Sequence, residues 1–301
     1  MALDWDKLRI FHAVAEAGSF THAGEELHLS QSAVSRQISA LEDSIEVPLF
    51  HRHARGLILT EQGDLLYKTA HEVFAKLTMT EALLRESKER PSGDLRVTAT
   101  VALGSTWLAP LMSEFASHFP EIELHLILDD RELDLSMRQA DVAIRLNPPR
   151  QQDLIQRSLF KVHTHIYASA NYLSQNGLPH TLEDLDNHRL IVFGDDSHPP
   201  VPGLDWILTA GMPKGQKRKP GMIVNNITSQ RSIIEADGGL AALPDYVADG
   251  TDLVRVLPEA EGAVITAYFV YPEEMRSTKR IKVLRDFLVK KVAASTFDRN
   301  S

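Results

Sequence analysis

The sequence predicts a multidomain chain mixing α+β and α/β parts: a small helical head ending in a hairpin wing, a long connecting helix, and two α/β lobes. Three observations carry that prediction. The first 60 residues break into short amphipathic segments, each closed by a glycine or a capping residue. From Thr60 to about residue 89 an apolar repeat of about 3.5 residues runs on without a break. From Asp94 onward, strand and helix patterns alternate. A chain of 301 residues, 43% apolar, is long enough for two or three domains with their own cores. The expected division is residues 1–60, 61–90 and 91–301, the last split into a lobe of about 94–162 and 268–297 and a lobe of about 163–267.

In the head, Leu8, Phe11, Val14 and Ala15 recur at helical spacing and Gly18 ends that helix. Ser19 caps a second helix over 20–27, and after a turn at His28 and Leu29, Ser30 caps a third over 31–41. In this third helix Val34, Ile38 and Leu41 make an apolar face, with Gln31, Ser32, Ser35, Arg36 and Ser39 opposite. Pro48, Leu49 and Phe50 open an extended stretch that returns through Arg55 and Gly56 to residues 57–60, a small hairpin. In the long helix Leu66, Ala70, Val73, Leu77, Thr80 and Leu84 alternate spacings of four and three, the pattern of a coiled-coil seam between two copies. At about 1.5 Å per residue this helix spans about 45 Å, and residues 91–93 stop it.

Beyond it the pattern predicts strands at 95–100, 121–128, 141–145, 166–169, 190–193, 222–224 and 263–271. Helices are predicted at 105–119, 133–139, 228–236 and 280–293. Such alternation indicates mainly parallel sheets with helices on both faces, in two lobes that the chain crosses twice. The stretch 213–220, with Lys214, Lys217, Arg218 and Lys219, reads as an exposed loop.

Composition excludes several functions. With no cysteine there are no disulfides, thiolate metal sites or cysteine nucleophiles. The acidic, amphipathic start and the lack of long apolar runs predict a cytoplasmic protein without a membrane partner. No nucleophile elbow, phosphate loop or paired-histidine zinc motif is present, so no catalytic residue is assigned and an enzyme is not expected. The pairs His51/His53 and His163/His165 could each offer two metal ligands from one strand face, but spacing supplies no third; neither a metal site nor a cofactor is assigned. Asp129 and Asp130 read as a solvated turn. Gly238 and Gly239 follow a helix and serve as its stop.

A helix, a short turn and a helix with a polar face can place that face in a DNA major groove, about 12 Å wide. Gln31 and Arg36 suit adenine and guanine edges, and Ser30, Ser32, Ser35 and Gln37 can reach bases or phosphates. Arg52, His53 and Arg55 on the hairpin could grip the backbone as a wing does. Yet residues 1–60 hold five Lys+Arg against eight Asp+Glu, too acidic for a lone copy to hold DNA well. Pairing through the long helix is therefore expected, with the basic groups gathered on one face.

The runs Phe11-His12-Ala13-Val14-Ala15-Glu16-Ala17-Gly18-Ser19-Phe20, Leu29-Ser30-Gln31-Ser32-Ala33-Val34-Ser35-Arg36, Leu49-Phe50-His51-Arg52 and Leu59-Thr60-Glu61-Gln62-Gly63 closely resemble LysR-type transcriptional regulators. The resemblance is dense over about the first 65 residues and continues through residues 140–145 and 238–244. Within the family the chain is most similar to the alphaproteobacterial VtlR/LsrB branch. The resemblance implies a winged helix-turn-helix, a dimerising linker helix and a two-lobed effector domain resembling a type 2 periplasmic-binding fold. It also implies an activator, commonly a dimer of dimers, that binds double-stranded DNA at an inverted repeat and works with RNA polymerase. The effector would sit between the lobes. Helix starts beyond strand ends favour anions, so a small anionic or polyhydroxyl metabolite is the expected class. Thr100, Ser105, Asn226 and Thr228 are the lining candidates, with Arg145 and His165 beside them, although Ser, Thr and Asn at such places also serve simply as caps. The other reading is a cytoplasmic solute-binding or sequestering protein with a vestigial helix-turn-helix.

Overall fold

The structure, a computed structural model, describes residues 4–53, 56–85, 90–148, 151, 153–194 and 199–294. It forms two compact units, Met1–Leu84 and Arg85–Ser301. No helix among the described residues is long and apolar enough to cross a membrane.

The first unit begins with α1 (Trp5–Ala17), whose first turn is capped by the Asp4 carboxylate accepting the N–H groups of Asp6 and Lys7. Ser19 caps α2 (Phe20–Leu27), and Ser30 caps α3 (Gln31–Ile45), which runs four residues beyond the sequence expectation and closes on a left-handed Glu46. Strands β1 (Phe50–His53) and β2 (Gly56–Leu59) pair antiparallel as the predicted hairpin. The core gathers Phe11, Val14, Ala23, Val34, Ile38, Leu41 and Leu49, all at most 1% exposed.

Helix α4 (Glu61–Arg85) has 25 residues and extends about 37 Å. Its entry is fixed by Thr60, whose hydroxyl donates to the Pro48 carbonyl at 2.8 Å and accepts the Gly63 N–H at 2.9 Å. Gly63 lies against the hairpin so closely that a Cβ there would sit 2.1 Å from the Leu49 carbonyl oxygen. The seam read from the sequence divides in two. Ala70 is 1% exposed in this chain's own core and Leu66 packs against it, whereas Val73 and Leu77 are 39% and 46% exposed. Ala70 is thereby corrected from interface to core, and Leu66 divides its surface between that core and solvent: a 3.5-residue repeat does not say whose apolar surface it meets. The side chain of Leu84 lies outside the described residues.

The second unit opens with β3 (Gly93–Ala99). Helix α5 (Val101–Leu103) follows and passes through a π-helical turn, Gly104–Leu108, into α6 (Ala109–His118). Next come β4 (Ile122–Leu128), β5 (Val142–Arg145), β6 (Leu154–Val162), β7 (Thr164–Ala168) and α7 (Ala170–Asn176). They are followed by β8 (Leu190–Val192), β9 (Met222–Ile223), α8 (Ile227–Glu235), β10 (Leu240–Pro244) and α9 (Asp245–Ala248). The last are β11 (Val254–Val256), β12 (Ile265–Pro272) and α10 (Lys279–Ala294).

These strands build two sheets, ordered β4-β3-β5-β12-β6 and β11-β7-β10-β8-β9. Each is mainly parallel in strand direction, as expected, but carries one reversed strand. Among the described residues one strand in each sheet, β12 and β7, runs against its neighbours. These are the strands by which the chain enters each lobe from the other, so they start at the cleft and run away from it. The remaining strands end there, as in other open α/β sheets.

Two further expectations change. Residues 133–139 form turns and no helix, because the Asp134 carboxylate takes the Met137 N–H, Gln139 takes the Asp134 N–H, and Arg138 is left-handed at φ 57°. In the stretch 213–220 the lysines are exposed, but Arg218 is 7% exposed. Its guanidinium donates to the Asp186 carboxylate and to the carbonyls of Leu182, Ile207 and Ala210. At the end of α8, Gly239 adopts φ 147° where a Cβ would sit 2.2 Å from the Arg189 carbonyl oxygen, so the glycine pair does more than stop a helix.

Candidate DNA-reading face and interlobe cleft

Helix α3 is divided cleanly. Val34, Ile38 and Leu41 are fully buried, while Gln31, Ser32, Arg36 and Gln37 are exposed and Ser35 is half-buried. The exposed set offers amide, hydroxyl and guanidinium groups within two turns, the donors and acceptors that base edges require. Ser30 also serves the fold, since its Oγ accepts the Ala33 N–H at 3.2 Å and meets the Ser32 hydroxyl at 3.2 Å. The backbones of Arg52 and His53 lie in β1 with their side chains outside the described residues, and Arg55 lies outside them altogether.

In the second unit, α5 and α8 start beyond strand ends of opposite lobes and pack against each other and against α9. Three buried hydroxyls there have no hydrogen-bond partner among the described residues: Thr100 Oγ1, Thr228 Oγ1 and Tyr246 OH. Thr100 is 3% exposed and stands at the start of α5; Thr228 is in the first turn of α8, and Tyr246 in α9. A buried hydroxyl left unpaired costs about 1–3 kcal/mol, so these groups on three contacting helices are candidates to meet an outside partner. Burial, with the Asp130 carboxylate nearby, pushes the Tyr246 hydroxyl far above the usual phenol range and keeps it a donor.

The other candidates make hydrogen bonds within the fold. Ser105 is exposed and its hydroxyl donates to the Val101 carbonyl at 2.7 Å, so its proton is committed to the helix and only its lone pairs face outward. Asn226 Oδ1 accepts the Ser229 N–H at 2.8 Å, so it acts as a cap. Arg145, at the end of β5, is 7% exposed and donates to the Asp129 carbonyl at 2.5 Å and to Thr98 Oγ1 at 2.9 Å. Burial pulls its guanidinium below the ordinary arginine range, against the opposing carboxylates of Asp129, Asp130 and Glu132. It lines a small cavity with Glu132, Leu135, Gln151 and Leu154, inside the first lobe. His165 is buried and meets Asp245 at 2.7 Å, so it positions the first residue of α9. His163 pairs with Glu261, which gives both crossover histidines a carboxylate partner.

Two residues escaped the sequence reading. Tyr246 follows Pro244 and Asp245 at the end of β10, and the strand-end rule applied to α5 and α8 would have found it. Asp130 accepts the Val101 N–H at 2.9 Å and so caps α5, while Asp129 pairs with Arg131, which holds its carboxyl below the usual range. The first of these is no mere solvated turn.

A pair of substitutions checks the unpaired hydroxyl. Thr100→Val is expected to leave the thermal midpoint unchanged or raise it, because a buried polar atom without a partner is removed. Thr98→Val should lower stability by about 1–3 kcal/mol, because Arg145 loses an acceptor. Equal destabilisation by both would show that Thr100 is satisfied by the protein.

Known proteins share this arrangement. Residues 5–64 match the family model of bacterial regulatory helix-turn-helix proteins of the lysR family, and residues 88–293 match the LysR substrate-binding domain. The chain is 29% identical over 299 residues to the transcriptional regulator CrgA of Neisseria meningitidis, covering 97% of this chain and 98% of that protein. It is 30% identical over 292 residues to the transcriptional activator TtdR of Escherichia coli, covering 93% and 91%. Among solved structures it is similar to CrgA, with a TM-score of 0.59 at 28% identity over 97% of this chain and 99% of that one. The Vibrio cholerae virulence activator AphB gives a TM-score of 0.60 at 26% identity over 95% and 99%.

Proposed function

The chain belongs to the LysR family, as a transcriptional regulator with a helix-turn-helix DNA-binding domain and an effector-binding domain, and on that premise we propose how it reads DNA and what it senses. Paired copies bind an inverted-repeat operator through α3 and activate transcription with RNA polymerase in the cytoplasm, in answer to a small polyhydroxyl metabolite held between the lobes. No catalytic step is assigned to it.

The observation that carries the DNA-reading part is the division of α3. Its apolar face is consumed by the core, and its outer face keeps Gln31, Ser32, Ser35, Arg36 and Gln37 for base edges and phosphates, with Arg52, His53 and Arg55 as the wing's contribution. Val73 and Leu77, apolar and exposed on α4, are the residues offered to a second copy. Pairing also answers the acidity of the head, since two copies double the phosphate contacts of one. Placement in the VtlR/LsrB branch rests on the motif residues of the head alone.

The polyhydroxyl class follows from Thr100, Thr228 and Tyr246, which together offer three hydroxyls to a ligand rich in the same group. An anion is less well served. Asp130 already sits on the N-terminus of α5, and its charge opposes a second negative group there. A regulator of this kind responds only if the ligand binds one arrangement of the lobes better than the other.

Selection of sheared genomic DNA on the full-length protein at physiological salt, with and without cell metabolite extract, tests the DNA-reading part. Enrichment of an inverted repeat with half-sites about one helical turn apart is expected. Arg36→Ala should weaken operator binding by about 1–3 kcal/mol and relax one base position. Equal loss on all sequences would make Arg36 a phosphate contact. Recovery of no sequence under either condition would bring the solute-sequestering reading forward.

A further inference from the structure

We propose that His12, Glu16 and His71 form a binding site for a divalent cation of the zinc class, set between α1 and α4. Helices α1 and α4 bring these side chains together within the first unit. His12 Nε2 lies 3.2 Å from His71 Nδ1, and that nitrogen lies 3.7 Å from Glu16 Oε1. All three ligand atoms fall within 4.8 Å of one another. A zinc ion with metal–ligand bonds of about 2.0–2.1 Å in tetrahedral geometry needs ligand atoms about 3.4 Å apart. The two close separations straddle that value, so a cation fits with little movement of either helix.

Local sequence explains the arrangement. His12 and Glu16 are four residues apart on α1 and share a face. Tyr67 and His71 are likewise four apart on α4. The Tyr67 hydroxyl donates to Glu16 Oε1 at 3.4 Å, and its ring stacks on His12 with centroids 5.5 Å apart. Such an outer donor orients a metal-ligating carboxylate. The Phe74 ring, 5.1 Å from His12, supplies apolar cover. His12 is 5% exposed, while the side chains of His71 and Glu16 are 21% and 30% exposed, so the group can be reached from solvent on the side of these two.

The chemistry of the set is selective. Two imidazoles and one carboxylate favour zinc and its neighbours over magnesium or calcium, which take oxygen ligands. A hydrogen bond between the two imidazoles is the competing account of the 3.2 Å contact. That bond holds a single proton between the two nitrogens, and Glu16 converges on one of them. A cation uses all three lone pairs together. The other histidine-carboxylate group among the described residues, Asp94, Glu123 and His125, is exposed throughout and has a single imidazole, so it serves as a control.

The test is titration of EDTA-stripped full-length protein with Zn²⁺ against a chromophoric chelator, with Co²⁺ absorption as a second readout. One equivalent per chain, a raised thermal midpoint and the visible bands of tetrahedral Co²⁺ are expected, with no competition from Mg²⁺. His71→Gln, at a partly exposed position, should lose this equivalent and the Co²⁺ bands. Glu16→Gln should weaken binding at least tenfold, and Tyr67→Phe by about tenfold. His125→Ala should bind as the parent does. Absence of a stoichiometric equivalent in the parent, or retention of it with the same Co²⁺ spectrum in both His71→Gln and Glu16→Gln, overturns the proposal.

Discussion

Gly63→Ala is expected to destabilise the N-terminal unit by about 3 kcal/mol and to abolish operator binding with it. The added methyl would lie 2.1 Å from the Leu49 carbonyl oxygen and 3.0 Å from its carbonyl carbon. Both are backbone atoms next to β1, and Leu49 itself is 1% exposed in the core, so neither can swing aside as a flexible side chain could. Relief requires α4 or the hairpin to shift. Either movement breaks the bonds that Thr60 makes to the Pro48 carbonyl and to the Gly63 N–H. A domain of this size loses about 4–8 °C per kcal/mol, so the calorimetric midpoint of this unit should fall by more than about 10 °C. A variant that melts with the parent and binds the operator as tightly would show that helix and hairpin separate without cost.

Arg218→Ala is expected to cost about 3 kcal/mol or more in the second unit, because each buried carbonyl left without a donor costs about 1–3 kcal/mol. The loss does not come from the ion pair. Asp186 keeps 57% of its side chain in solvent and can be rehydrated. It comes from the carbonyls of Leu182, Ile207 and Ala210, which share one guanidinium and would lose their donor together. Arg218→Lys should recover little, because one ammonium cannot reach three diverging carbonyls as a planar fork does. Urea unfolding of the two variants checks this. Full recovery by lysine would mean that charge alone, and not the shape of the guanidinium, holds these turns.

The head was nearly all legible in the chain. Ser19 and Ser30 each cap a helix within three residues, and Val34, Ile38 and Leu41 name the buried face of α3 by spacing alone. The partner of an apolar repeat was not legible. Leu66 and Ala70 continue the same periodicity as Val73 and Leu77, yet the first pair meets the chain's own core and the second remains exposed. In the lobes, alternation of strand and helix correctly announced two α/β sheets. It did not announce the one reversed strand in each sheet, which follows from the side on which the chain re-enters that lobe.

The candidate cleft divides in the same way. Thr100 and Thr228 could be nominated because each begins a helix after a strand end, but their worth as ligand contacts rests on having no partner, and Ser105, nominated by the same rule, has one at Val101. Capping, periodicity and turn chemistry act over three or four residues, and for that reason the helix-turn-helix, its polar face and the family could be read in the chain. Burial of Arg218, the orphaned hydroxyls beside Tyr246, and the meeting of His12 with His71 join residues tens to more than a hundred positions apart. Only packing decides such contacts, because a residue's solvent and its partners are set by whichever distant segment comes to cover it.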